Sequence, residues 1–293
     1  MNQTVAFIGF GEAAQAFAEA AISEGPRLRA YDIKTAIPAT RDAKRADYTR
    51  CRIDGRDDVA ETLDAADAVL SLVTADQALP AARRYAGLLA DRALWFDMNS
   101  VAPATKRAAA VAVTAAGGRY VDVAVMAPVH PQRLNVPLLL SGAYAEAGAA
   151  LLTAMGFGNV RVVAGPVGAA SSIKMLRSVV IKGFEALTAE CLLAADIAGV
   201  RNEVIGSLDA GWPSADWAAR ADYNLDRMMV HGLRRAAEME EVVRTLDALG
   251  TGSAMSRATI ECQRAVGTRA LRPLPTLDAK LDALLDRLPE RDQ

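Results

Sequence analysis

The chain has 293 residues, with 33 Lys and Arg against 35 Asp and Glu, a formal net charge of −2, and 52% hydrophobic side chains. That balance excludes a disordered chain and gives no electrostatic case for binding nucleic acid or an anionic membrane surface. The length allows two domains. Cys51, Cys191 and Cys262 lie far apart without metal-ligand spacing, which predicts free thiols in a reducing compartment. Met1-Asn2-Gln3 leaves no room for a signal peptide before the first strand, and no apolar run reaches membrane-spanning length. A cytoplasmic protein is expected.

Val5-Ala6-Phe7-Ile8 reads as a short buried strand, and Gly9-Phe10-Gly11-Glu12-Ala13-Ala14 follows at once, opening an alanine-rich helix. In this order the glycines are a device for holding a dinucleotide. Gly9 permits a tight turn, Gly11 lets the backbone approach a pyrophosphate, and Ala14 takes the close-packing third position. The helix start then presents its N–H groups and positive end to the phosphates. Glu12 is tolerated there because a helix start favours negative charge. Leu28-Arg29-Ala30-Tyr31-Asp32 comes next as a second strand ending in an acid. Asp32 can accept hydrogen bonds from ribose hydroxyls and would repel a 2′-phosphate, which favours NAD over NADP, although Lys34 is near enough to soften that preference.

Further along, Val69–Val73 reads as a buried parallel strand, Ala75–Ala90 as a helix and Ala93–Met98 as a strand. Pro103–Ala116 is helical, with proline in its first turn and Gly117-Gly118 at its end. Tyr120–Val125 and Val136–Leu140 read as strands, Tyr144–Met155 as a helix and Val160–Val163 as a last strand. This alternation predicts an α/β Rossmann domain over residues 1–165, with a mostly parallel sheet. The pattern changes at Gly165-Pro166-Val167-Gly168. Residues 166–293 are expected to be all-helical, entered by one long helix over Ala169–Ala198, roughly 45 Å long. Further helices are expected near Asn202–Asp209, Ala215–Met229, Leu233–Leu249, Ala254–Val266 and Leu277–Leu288.

A nicotinamide enzyme needs a proton donor or acceptor near the hydride-transfer carbon. On the long helix Ser171, Lys174, Ser178 and Lys182 share one face, opposite the apolar stripe of Ile173, Leu176, Val180 and Leu187. A desolvated lysine can act as general acid or base, so Lys174 is a catalytic candidate, against the plainer reading of a solvated helix lysine. Arg234 or Arg235 could hold a carboxylate through paired hydrogen bonds; the plainer reading pairs them with Glu238 and Glu241 on a solvated face. His231 is a weaker acid/base candidate, with a helix N-terminal packing role as the alternative. His130, between Pro128 and Pro131, is weaker still. Trp212 and Trp217 read as core or dimer contacts. Two histidines so far apart do not suggest zinc.

Several of these motifs together resemble the β-hydroxyacid dehydrogenase superfamily, which includes hydroxyisobutyrate, tartronate semialdehyde and phosphogluconate dehydrogenases. Val5–Ala14 resembles its cofactor loop, and Ser71-Leu72-Val73-Thr74 the strand end beside the cofactor ribose. Asp97-Met98-Asn99-Ser100-Val101-Ala102-Pro103 resembles the D-x-S-T-x-x-P segment, with Ser100 in the substrate-binding place. Gly168-Ala169-Ala170-Ser171-Ser172-Ile173-Lys174 resembles the catalytic G-x-x-x-K segment. The resemblance implies Lys174 as general acid/base. It implies a substrate contact from Ser100; Met126, Arg177, Ser178, His231 and Arg234 are further substrate-binding candidates. Cofactor contacts are implied for Gly9, Phe10, Gly11, Glu12, Ala13, Ala14, Asp32, Val73, Thr74 and Asn99, with no metal.

The chain also departs from the family pattern. Ser178 stands where the family carries an asparagine four residues after the lysine. Asp122–Pro128 replaces the glycine-rich D-x-P-V-S-G-G loop. These changes resemble a branch with a C-terminal domain of unassigned function, marked also by His231–Glu241. The expectation is an NAD-dependent oxidoreductase, with NADP less favoured, acting on the CH–OH group of a small β-hydroxy acid or related compound. A homodimer is expected. Imine reductase-like chemistry is the nearest alternative, and Lys174 argues against it; a non-catalytic NAD-binding sensor is another, opposed by Ser100 together with Lys174.

Overall fold

The computed structural model describes residues 3–21, 25–213 and 215–286. Two compact units divide the chain, Met1–Met175 and Leu176–Gln293. The division falls inside a long helix, after the turn at which strand–helix alternation ends.

The first unit carries β1 (Thr4–Ile8), α1 (Glu12–Ala20), β2 (Arg27–Tyr31), α2 (Pro38–Arg50), β3 (Asp54–Arg56), α3 (Val59–Leu63), β4 (Ala68–Ser71) and α4 (Ala78–Tyr85). It continues through β5 (Leu94–Asp97), α5 (Pro103–Ala115), β6 (Arg119–Val125), β7 (Leu138–Ser141), α6 (Ala145–Ala154) and β8 (Val160–Val162). The eight strands form one sheet in the order β3-β2-β1-β4-β5-β6-β7-β8. Neighbours are parallel except β6 and β7. That pair is joined by residues 126–137, which contain only a short 3-10 turn at Arg133–Asn135. Without a crossover helix the chain returns beside the strand it left.

Both faces of the sheet are covered, so its inner strands are mostly apolar and successive residues supply opposite cores. Val5 and Phe7 pack with Phe10, Phe17, Phe96, Val121, Leu140 and Phe157. Ala6 and Ile8 pack with Val69, Tyr85, Trp95 and Tyr120 on the other side. Because β1, β4, β5 and β6 are parallel, their carboxyl ends open on one edge, and Tyr31, Ile8, Ser71, Asp97 and Asp122 fall in one row across the sheet.

The long helix α7 spans Ala169–Ile197. The second unit adds α8 (Arg201–Gly211), α9 (Trp217–Leu249), α10 (Ala254–Gly267) and α11 (Leu277–Leu284). Its core joins Leu192, Leu225, Met228, Met229, Leu281 and Leu284. The two helices expected at Ala215–Met229 and Leu233–Leu249 are one helix, capped by Asp216 at its start and by left-handed Gly250 at its end. Gly232 does not break it. There α9 meets α10 so closely that a Cβ on Gly232 would lie 2.5 Å from the Gln263 carbonyl oxygen, and one on Gly267 2.6 Å from the Leu233 nitrogen. The glycine serves helix packing, and His231 is therefore a mid-helix residue, not an N-terminal one. The C-terminal helix ends at Leu284, and the expected Leu288 lies outside the described residues. No described helix is long and apolar enough to cross a membrane.

Candidate functional site

The glycine turn at the end of β1 is fixed by backbone geometry. Gly9 has φ +84°, and a Cβ there would lie 2.5 Å from the Leu72 carbonyl oxygen. Its N–H donates to the Tyr31 carbonyl at 2.9 Å, tying the turn to β2. Phe10 points inward and is fully buried. Its N–H donates to Asp32 Oδ2 at 2.8 Å, and its carbonyl accepts from Lys44 Nζ at 2.7 Å and Gln15 Nε2 at 3.0 Å. Phe10 thus enters the cofactor loop as an anchor, with both peptide groups engaged inside the protein. Gly11 differs, since a Cβ there would meet nothing within 4 Å. The space above Gly11 is open, and the first turn of α1 behind it carries N–H groups that lack intrahelical acceptors. Glu12 is exposed, Ala13 half-buried and Ala14 buried against the sheet. Asp32, buried at the end of β2, accepts from Phe10 and from Lys34 N at 2.9 Å. These residues fit a dinucleotide: an open cradle for the diphosphate, and a carboxylate held at the ribose position. Val73 and Thr74 follow β4 on the same edge, half-buried and exposed respectively.

Beside them, β5 ends in Asp97 and turns through Asn99 and Ser100. Asp97 Oδ1 accepts the Asn99 N–H at 3.0 Å and its Nδ2 at 2.8 Å, and Asn99 Nδ2 also donates to Ser71 Oγ at 3.1 Å. Asn99 Oδ1 and Ser100 Oγ are buried and have no hydrogen-bond partner among the described residues. Orphaned buried acceptors and hydroxyls are uncommon in proteins, and two adjacent ones mark this turn as a place for a polar ligand.

Behind the turn lies a charged core. Lys106, on the inward face of α5, is fully buried. Its Nζ lies 3.1 Å from Asp97 Oδ1 and 3.3 Å from Asp122 Oδ1, and donates to the Asp97 and Val123 carbonyls. Tyr120 donates its hydroxyl to Asp97 Oδ2 at 2.7 Å. Burial, then the Asp97 charge, pushes that phenol well above its ordinary value, so it remains a donor.

From β6 the network reaches the start of α7. Asp122 Oδ2 accepts from Gly168 N at 3.0 Å, Ser171 N at 3.1 Å, Ser171 Oγ at 3.2 Å and Ser141 Oγ at 3.0 Å. Ala170 N donates to Ser141 Oγ at 3.0 Å. Gly168 has φ +107°, and a Cβ there would lie 2.8 Å from Arg107 Nη1 and 3.3 Å from Pro103 Cβ, which seats the start of α7 against α5. Lys174, half-buried, follows Ser171 by one turn on the same helix. Met126 lies half-buried just past the end of β6.

The remaining candidates, His130 excepted, belong to the second unit. Ser178 is buried and Arg177 exposed. Lys182, also buried, forms an ion pair with Glu238 Oε2 at 2.8 Å. Arg235 is not on a solvated face as expected; it is buried and its Nε donates to Glu185 Oε2 at 2.6 Å, with Gln263 Nε2 on the same oxygen at 2.8 Å. Glu238 pairs with Lys182, and Glu241 with Arg244. Arg234 is exposed and His231 half-buried. Burial, then the like charge of Arg235, holds the Arg227 guanidinium below its ordinary value. Trp217 is buried, whereas Trp212 is exposed and leans on it at 5.6 Å between ring centres. His130 is exposed.

The apolar stripe of α7 is turned outward. Leu176, Val180 and Leu187 are 44%, 55% and 52% exposed, while the polar residues Ser178, Lys182 and Glu185 are inside.

Residue-by-residue reading of the sequence passes over Ser71, Asp97, Lys106, Asp122 and Ser141 as functional groups. A signal was present. Asp97 and Asp122 are charges within otherwise apolar strands, and Lys106 falls on the Pro103–Ala109–Val113 stripe that α5 turns inward.

Fold and carboxyl-edge geometry define a dinucleotide-binding α/β domain followed by a helical unit. Comparison with known proteins agrees. Residues 4–130 match the family described as the NAD binding domain of 6-phosphogluconate dehydrogenase, and residues 195–266 match a domain of unknown function, DUF1932. A conserved hypothetical protein from Sinorhizobium meliloti is 40% identical, with 98% of this chain and 97% of that one covered and a TM-score of 0.77. A conserved protein of unknown function, described as structurally similar to 3-hydroxyacid dehydrogenases, is 29% identical over 97% of this chain and 99% of that one, with a TM-score of 0.72. The Mycobacterium tuberculosis 3-hydroxyisobutyrate dehydrogenase shares the fold at 16% identity, covering 97% of this chain and 99% of that one, with a TM-score of 0.73. The chain belongs to the β-hydroxyacid dehydrogenase superfamily, in the branch that joins an NAD-binding domain of the 6-phosphogluconate dehydrogenase type to the DUF1932 domain. In general terms it is an NAD(P)-dependent oxidoreductase.

Proposed function

We propose that this protein interconverts the CH–OH group of a small β-hydroxy acid, or a related carboxylate-bearing compound, with the corresponding carbonyl, using NAD in preference to NADP. The observation that carries this reading is the buried, unpartnered pair Asn99 Oδ1 and Ser100 Oγ, on the same sheet edge as the open Gly11 cradle. Gly9–Ala14, Asp32, Val73, Thr74 and Asn99 would hold the dinucleotide, and the buried Asp32 carboxylate disfavours a 2′-phosphate. When bound, the nicotinamide ring supplies the hydride acceptor or donor.

The chain's own residues handle the proton and the substrate. Lys174 takes the hydroxyl proton as the carbonyl forms and returns it in reduction. Ser100 and Ser178 hold substrate oxygens, with Met126 and Arg177 beside them. Arg234 receives the carboxylate through paired hydrogen bonds, and His231 completes the substrate contacts. The outward apolar stripe of α7 supports a homodimer. The three free thiols favour a cytoplasmic location.

The test is a panel of hydroxy acids with NAD and NADP, followed by absorbance of the reduced nicotinamide. The panel includes 3-hydroxyisobutyrate and L-serine, the latter because the M. tuberculosis dehydrogenase was solved with it. Turnover of a β-hydroxy acid, faster with NAD, is the expected result. Reduction of imines alone, or silence across carboxylate, sulfonate and phosphonate members, would overturn the reading.

A further inference from the structure

We propose that Asp122 is a positioning residue for Lys174, and that Lys106 latches it to the turn bearing Asn99 and Ser100. The inference rests on the catalytic role assigned above to Lys174. It begins from a deficiency in the sequence. The helix α7 starts after Gly168, which has no side chain with which to cap its own first turn. Helix N-termini leave N–H groups that need acceptors, and a Ser, Thr, Asp or Asn at the cap position is the usual remedy. Here the acceptors come from the sheet. Asp122 receives Gly168 N and Ser171 N, Ser141 receives Ala170 N, and the Pro166 carbonyl receives Ala169 N at 3.1 Å.

Two consequences follow. The positive end of α7 is already committed to a carboxylate, so it is not offered to a substrate anion, in contrast with the open start of α1. The turn directly preceding Lys174 is also held at three points by one oxygen of a residue in the sheet. The other oxygen, Asp122 Oδ1, lies 3.3 Å from Lys106 Nζ and has no hydrogen-bond partner among the described residues. The same ammonium lies 3.1 Å from Asp97 Oδ1, and that oxygen holds both nitrogens of Asn99. One buried cation thus joins the two carboxylates that set the two halves of the candidate site. Asp97, Lys106, Asp122 and Ser141 are all fully buried.

The test uses the full-length chain with Asp122→Asn, which keeps the shape and removes the charge, and with Ser141→Ala, which removes one shared donor. Amide hydrogen exchange of the peptide spanning residues 168–175 is read against that of β1 and β4. Trace acetylation of Lys174 is read against Lys34 by mass spectrometry, and NADH affinity is measured in parallel. In Asp122→Asn, exchange over 168–175 rises about tenfold and Lys174 acetylation rises about threefold as the helix start loosens and a nearby negative charge is lost. Exchange in β1 and β4 and NADH affinity stay as in the parent, and Ser141→Ala moves both readouts the same way by less. Unchanged exchange, or raised exchange with unchanged Lys174 acetylation, would overturn the proposal; if Asp122→Asn does not fold, Ser141→Ala decides alone. These readouts need no substrate, so they separate this proposal from the dehydrogenase reading. Where turnover is measurable, the loss caused by Asp122→Asn disappears in a Lys174→Ala background, because a positioning residue has nothing left to position.

Discussion

The carboxylate of Asp32 accepts the peptide N–H of Phe10 at 2.8 Å. One acid therefore both shapes the glycine turn and stands at the ribose position, and the two roles predict two losses in Asp32→Ala. Hydrogen bonds to a charged partner contribute about 1.5–3 kcal/mol each. NADH affinity is expected to fall about 10–100-fold, and the preference for NADH over NADPH to shrink. The melting temperature falls as well, because the Phe10 N–H is left buried. Fluorescence titration with each coenzyme and a thermal melt check both effects.

The two glycines of the turn are predicted to fail differently. Gly9→Ala forces a left-handed backbone and a Cβ 2.5 Å from the Leu72 carbonyl oxygen, and strained positions of this kind cost about 1–3 kcal/mol. It should destabilise the first unit whether or not coenzyme is present. Gly11→Val meets no protein atom at its Cβ, so its melting temperature without coenzyme should match the parent while the shift normally produced by NADH is lost. Melts with and without NADH distinguish the two.

Lys106→Met should be far more damaging than its place in an alanine-rich helix suggests. It leaves Asp97 and Asp122 facing each other without their shared cation, and breaking a buried ion pair costs about 3–5 kcal/mol. Denaturant unfolding measures the cost. Lys106→Met combined with Asp122→Asn should recover part of it, since the double variant buries one charge fewer.

Lys174→Ala is expected to lower turnover by about 10²–10⁴-fold, the usual worth of a placed general acid or base, with NADH affinity nearly unchanged. Steady-state kinetics on the best substrate of the panel, beside a coenzyme titration, makes the comparison. Normal turnover in that variant would remove Lys174 from the mechanism.

In the second unit, Gly232→Ala should disturb the crossing of α9 and α10, where its Cβ would meet the Gln263 carbonyl oxygen and Gly267 Cα at 2.5 and 2.8 Å. Overpacking costs about 1–3 kcal/mol. Calorimetric melting should show that loss without weakening NADH binding.

Much of the first unit was legible because its signals are local. Strand, glycine turn, helix and terminal acid follow one another from Val5 to Asp32, and the structure keeps that order. What escaped depends on distant pairing. Gly232 looks like a helix break, yet its missing side chain answers to Gly267 on another helix. Arg235 looks solvated beside Glu238, yet its partner is Glu185, fifty residues earlier in the chain. The outward turn of the apolar stripe of α7 was not legible either: tertiary contacts satisfy Lys182 and Glu185 and leave Leu176, Val180 and Leu187 outside. The pairing within the buried Asp97–Lys106–Asp122 row was hidden for the same reason, since only the sheet register sets Asp97 beside Asp122.

Titration calorimetry of the purified chain with NADH and then NADPH tests the central claim most directly. The account predicts saturable heat corresponding to one coenzyme per chain, with NADH bound the more tightly and the heat abolished by Gly11→Val. Absence of heat from both coenzymes, in their reduced and oxidised forms alike, would contradict it.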